Sequence, residues 1–147
     1  MQQILLSVAF TLFLLSGQNV AWANEADSAT TTIENIWARP TRANGGVTAV
    51  YMDIKNPSDK ARTLVKVTSP IGHAMIHQSV SDGKLVRMQH LDKLSIPAKS
   101  SVYLKPGSYH VMITGIKQPL KVGDQVKLSL AFEDAVNLEV SARVQEK

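Results

Sequence analysis

Residues 76–88 read IHQSVSDGKLVRM, two β-rich runs on either side of an Asp-Gly pair. Asp-Gly between such runs is the strongest short-range signal for a two-residue hairpin loop. With Asp82 and Gly83 as the loop, His77 falls directly opposite Met88 on one face, where cross-strand Cβ atoms lie about 4.5–5.5 Å apart. A four-residue loop centred on the same pair keeps that register, and a three-residue loop breaks it. Further along, YHVM at 109–112 follows a Pro-Gly turn. If it is a strand, His110 and Met112 point to the same face, because side chains alternate with a period of two. The hairpin and this strand each pair an imidazole with a thioether.

The rest of the chain has the same short-strand grammar. VTAVYMDIKN (47–56) alternates, with Val47, Ala49, Tyr51 and Asp53 opposite Thr48, Val50, Met52 and Ile54. ARTLVKVTS (61–69) alternates again, setting Leu64, Lys66 and Thr68 against Val65 and Val67. TIENIWAR (32–39) stops at Pro40, and LSIP, SSVYLKPGSYHVMITG, DQVKLSLAFED and NLEVSARV complete the set. No window has a 3.6-residue period. About nine short strands with turn residues between them predict an all-β sandwich or barrel.

The N-terminal block ILLSVAFTLFLL is too short to span a bilayer and is followed by AWA, the small-x-small pattern of a signal-peptidase site. Residues 1–23 are therefore expected to be a cleaved signal peptide, with an uncleaved N-terminal anchor as the alternative. Residues 24–31 are expected to be a mobile N-terminal segment, and 32–147 a single domain. No membrane span is expected after cleavage. The 147 residues contain no cysteine. Disulfides, thiolate metal sites, a cysteine-borne lipid and a blue-copper centre are all excluded. The formal charge of +4 comes from scattered Lys and Arg, and aromatics are only 5%. A nucleic-acid surface needs clustered basic residues, so the charge is read as solubility or docking to an acidic partner.

Two imidazoles and two thioethers make a specific chemical combination. Thioether sulfur is soft and neutral and selects Cu(I) over Mg²⁺, Ca²⁺ or Mn²⁺. A structural zinc site calls for thiolates, and a hydrolytic one for His with carboxylate. His77, Met88, His110 and Met112 are thus candidate metal ligands for copper that is carried rather than cycled. The competing reading of each is core filler or a surface residue. Met52 is expected in the core, and Trp37 is expected to pack the sandwich. His73 and Met75 share the face of His77 if their strand starts early, as outer or spare ligands. His90 is expected to be exposed and without a partner.

The spacing His77-x10-Met88-x21-His110-x-Met112 resembles the H-x10-M-x21-H-x-M signature of the periplasmic copper chaperones called PCu(A)C proteins. IENIWARP, VYMDIKN, DGKLVRM and LSIPAKSSVYLKPGSYHVMITGIKQPLKVGDQVKLSLAFED are similar to that family's phrases, over roughly residues 32–144. The resemblance implies a cupredoxin-like or immunoglobulin-like Greek-key β-sandwich binding Cu(I) near its surface. It also implies delivery of copper to the dinuclear copper centre of cytochrome c oxidase subunit II, or to another copper chaperone. Gln78, Ser79 and Val86 stand where many relatives carry Glu and further Met. No second copper site is therefore implied near the hairpin.

The expectation is a periplasmic, monomeric metallochaperone that is not an enzyme. Its rivals are copper storage or detoxification by the same ligands and an exported β-sandwich module whose His and Met are incidental. A copper oxidase or monooxygenase is the weakest alternative.

Overall fold

The computed structural model describes residues 30–42 and 46–147. The expected signal peptide and residues 24–29 of the expected mobile segment lie outside them, while Thr31, within that segment's bounds, is buried. Ten strands follow in chain order: β1 (Thr32–Ala38), β2 (Gly46–Asn56), β3 (Arg62–Thr68), β4 (His73–Ser81), β5 (Val86–Leu91), β6 (Leu94–Ile96), β7 (Ser100–Leu104), β8 (Tyr109–Ile116), β9 (Gln125–Phe132) and β10 (Asn137–Val144). The described residues contain no helix long and apolar enough to cross a membrane. The all-β class is as the alternation predicts. The tenth strand arises where Pro106-Gly107 divides 100–116 into two.

All ten strands hydrogen-bond into one mixed sheet of order β5-β4-β8-β7-β2-β1-β10-β9-β3-β6, with β8 also paired to β2. The sheet rolls over itself: β3 comes alongside β4, and β6 packs against β2 and β7. Between the two layers lies an apolar core that includes Val50, Met52, Ile54, Leu64, Val111 and Leu130. Met52 is in it, as expected. Burial of such aliphatic side chains is the main stabilising term in a domain without disulfides.

Among the described residues, three bulges modify the alternation, one of them in β8, where Ile113 and Ile116 both reach the core. In β3 the register against β9 slips between Leu64 and Lys66. Leu64 and Val67 both reach the core while Val65 turns out, against the simple alternation. In β1 the pairing with β2 slips between Glu34 and Trp37, with Asn35 in the left-handed region at φ 49°. An extra residue in one strand re-aims every side chain after it. Trp37 thereby falls opposite Tyr51 and stacks on it at 4.7 Å between ring centroids, outside the inter-layer core. Trp37 is buried and packs on the sandwich, as expected. It packs on the outer face, because the β1 bulge turns it there.

The β2–β3 turn is anchored by a buried amide. Asn56 Nδ2 donates to the carbonyls of Lys60 (2.8 Å), Ile96 (3.1 Å) and Pro97 (3.1 Å), and its Oδ1 accepts from Ser58 Oγ at 2.7 Å. This clamps β6 to the turn. Asn56→Ala strands several buried polar groups, so a loss of about 1–3 kcal/mol is expected in chemical denaturation.

Candidate metal centre

β8 carries the candidate site because it is held on both sides. It pairs with β4 through His73↔Thr114, Met75↔Met112 and His77↔His110. On its other side it pairs with β2 through Ala49↔Met112 and Val50↔Val111. β7 occupies the same edge of β2 further along, with Met52 opposite Leu104. Between Leu104 and Val111 the chain therefore makes a six-residue excursion, KPGSYH, opposite the single residue Tyr51. Gly107 at φ 79° makes the turn, a conformation that disfavours any residue with a Cβ. The excursion delivers His110 onto β4.

Alternation then assigns the faces. Val111 and Ile113 of β8 enter the core with Ile76 of β4. His77, His110 and Met112 lie on the opposite, outer face, together with Met75. His110 is 3% exposed and His77 8%, so both imidazoles are buried although they face outward. Tyr51, whose ring lies 6.3 Å from that of His110, covers the site from the β2 side.

The hairpin register differs from the expected one. Ser79, not His77, is opposite Met88, and His77 is opposite His90. The loop is Asp82–Leu85, because the Asp82 carboxylate accepts the amides of Lys84 (3.0 Å) and Leu85 (2.9 Å). Those same bonds hold the Asp82 carboxyl below its ordinary 3.8, that from Leu85 being the larger cause. An Asx turn of this kind uses the Asp side chain in place of a backbone acceptor, and Asp-Gly becomes the start of a longer loop. The shift is two residues, so Met88 keeps its face. It is now diagonal to His77, a separation a long side chain can reach across.

Met88, His110 and Met112 line one recess with Tyr51 and Arg39, while His77 packs beside it, its ring edge-on to His110 at 5.9 Å. Met88 is 61% exposed, on an edge strand that pairs only with β4. β4 does start at His73, so His73 and Met75 share the face of His77, with Met75 beside Met112. His90 is exposed, as expected, but is not without a neighbour: it lies opposite His77, the rings edge-on at 5.7 Å. Only the hairpin register could have shown this, and the side-chain bonds of Asp82 set that register.

The ring nitrogens suit a metal. His110 Nδ1 donates to the Ser108 carbonyl at 3.2 Å, since a carbonyl only accepts, and Nε2 is left with a free lone pair. Among the described residues, the buried side-chain polar atoms without a partner are His77 Nδ1, His110 Nε2 and Thr31 Oγ1. Two of the three are therefore imidazole nitrogens of register partners. Burial, then the neighbouring His110 and His90, pushes His77 below its ordinary 6.5 and keeps it neutral. Among the described residues no three His, Asp or Glu side chains converge as a metal site of their own. The donors beside the two imidazoles on this face are methionine sulfurs, which favour soft ions.

The profile of the family described as "Putative lipoprotein LpqE-like" matches residues 31–144. The chain belongs to this LpqE-like family. "Putative lipoprotein Lxx21020" of Leifsonia xyli subsp. xyli is 29% identical over 116 residues, which are 78% of this chain and 69% of that protein. The solved structure "Copper-bound PCuAC domain from PmoF2" superposes with a TM-score of 0.68 at 24% identity, covering 80% of this chain and 93% of that one. "Solution structure of CuI-DR1885 from Deinococcus Radiodurans" gives a TM-score of 0.62 at 30% identity, over 85% and 86% of the two chains. The fold is that of the PCuAC domains, as the resemblance of the sequence implies.

The Ser108 bond makes a prediction for the metal-free protein. In its neutral form, His110 is expected as the Nδ1–H tautomer. Long-range ¹H–¹⁵N correlation spectra check this, and an Nε2–H tautomer contradicts it.

Proposed function

We propose that this chain is an exported Cu(I)-binding metallochaperone of the PCu(A)C type, with His77, Met88, His110 and Met112 as its copper ligands. The observation that carries this reading is the pair of buried, unpartnered imidazole nitrogens set side by side across β4 and β8. A buried polar group without a partner costs about 1–3 kcal/mol. A soft cation bound to both nitrogens removes that cost. Met112 and Met88 on the same face supply neutral sulfur, and four neutral ligands leave the site at +1.

The relatives support copper as cargo. One solved neighbour is a copper-bound PCuAC domain and another a Cu(I) form. The reading extends to location and acceptor. Residues 1–23 act as a cleaved export signal, the mature protein works in the periplasm, and it acts as a carrier and not an enzyme. Copper passes to the dinuclear centre of cytochrome c oxidase subunit II or to another chaperone. Delivery is favoured over storage by the surroundings of the recess. Met88 and Val86 (69% exposed) leave the sulfur open to an approaching acceptor and offer it an apolar contact. Transfer proceeds by stepwise ligand exchange, with the exposed thioether of Met88 leaving first.

The test is Cu(I) titration against a competing chromogenic chelator. The wild-type chain is expected to hold one equivalent, with affinity lowered about 100-fold by His110→Ala and about tenfold by Met88→Leu. Absence of competition by the wild type contradicts the reading and makes an exported structural module the leading one.

Acid should weaken the site, because protons compete with copper for the imidazoles. Burial, then His110 and His90, lowers the His77 pKa from its ordinary 6.5, so copper keeps this ligand to lower pH than it would a free imidazole. Cu(I) affinity is therefore expected to fall as the pH is lowered from about 8 to about 5. Affinity that stays unchanged down to pH 4 contradicts His ligation.

A further inference from the structure

Three imidazoles form a row on the outer face of β5, β4 and β8. His90, His77 and His110 are successive register partners across the three strands. Their rings are nearly evenly spaced and edge-on, with centroids 5.7 Å apart for His90 and His77 and 5.9 Å for His77 and His110. Accessibility rises along the row. His110 and His77 are buried, and the His90 side chain is 52% exposed. The three do not converge on one point. They are arranged as consecutive pairs, with His77 in the middle.

We propose that His90 is a further copper donor of this chain, a port ligand through which Cu(I) enters and leaves by way of a two-coordinate position between His77 and His90. The proposal rests on the four-ligand reading above. Cu(I) is a filled-shell ion that accepts two, three or four soft or borderline ligands. Two imidazoles facing each other make an acceptable pair. In the outward step a bond forms between copper and a His90 nitrogen, and the bonds to Met88, Met112 and His110 break. Copper remains +1, and no electron or proton is transferred.

The surroundings of His90 suit this role. Its ring lies edge-on to that of His77 at 5.7 Å, with the exposed Asp92 carboxylate 3.4 Å from its Nε2. β5 also suits it. Among the described residues the strand is at the edge of the sheet and pairs only with β4, and it is exposed from Val86 to His90. An element with one neighbour and few buried contacts opens more readily than the core. A donor on it can follow the ion outward while His77 stays anchored.

The experiment is stopped-flow transfer of Cu(I) from the loaded chain to an excess of a bidentate Cu(I) chelator, with equilibrium affinity measured alongside. His90→Ala is expected to keep one equivalent with affinity within about threefold of wild type, and to release copper about tenfold more slowly. His90→Met, which restores a soft donor, is expected to recover the rate, and His90→Gln is not. A structural role for His90 gives no such recovery. Release rates within about twofold of wild type in His90→Ala overturn the port. An affinity loss above about tenfold also overturns it and makes His90 a resident ligand. A wild-type chain that takes up no copper overturns the four-ligand reading itself, an outcome distinct from unchanged transfer rates.

Discussion

The candidate centre depends on β8 being hydrogen-bonded to β4 on one side and β2 on the other. That double pairing fixes the strand in rotation. Val111 and Ile113 are driven into the inter-layer core. The period of two then obliges His110 and Met112 to face outward. Pairing with β4 places His77 beside His110 without any direct bond between the side chains. The excursion opposite Tyr51 lets the strand leave β2 for one step and bring the first of these residues over β4. Hydrophobic burial of one face thus positions the polar face.

An outward face that buries two imidazoles needs a cover. Trp37 and Tyr51 provide it from neighbouring strands, stacked on each other, with Arg39 over Tyr51 at 5.8 Å and Lys147 over Trp37 at 5.2 Å. The aromatic row continues through His110 and His77 to His90, crossing β1, β2, β8, β4 and β5. Burial desolvates the His77 imidazole and favours its neutral form, the form that binds a metal. The two inner imidazoles are buried, and Met88 and His90 sit on an exposed edge strand. On the copper reading, that asymmetry separates retention from release.

Much of this was legible in the residues. Alternation in β2 and the strand-turn rhythm indicate a β-sandwich, because burying one face of a strand imposes a period of two. Soft donors at i, i+2 in His110 and Met112 indicate one face for the same reason. The spacing of the four donors, with the phrases around them, carried the family resemblance. The failures also have physical causes. Strict alternation fails in β1 and β3 where a bulge inserts one residue. The loop at Asp82-Gly83 is longer than the dipeptide suggests, since the Asp82 carboxylate captures two following amides.

The amino-acid sequence by itself determined the β class, the soft donor set and the face each donor occupies. Those features follow from local chemistry and from a parity that survives any two-residue slip. Which donors are neighbours was decided only by the tertiary structure. The pairing of His77 with His110 and with His90, and the diagonal position of Met88, depend on strand registers. Those registers are set jointly by the Asp82 turn, the excursion before Val111 and the packing of the core, interactions between residues distant in the chain.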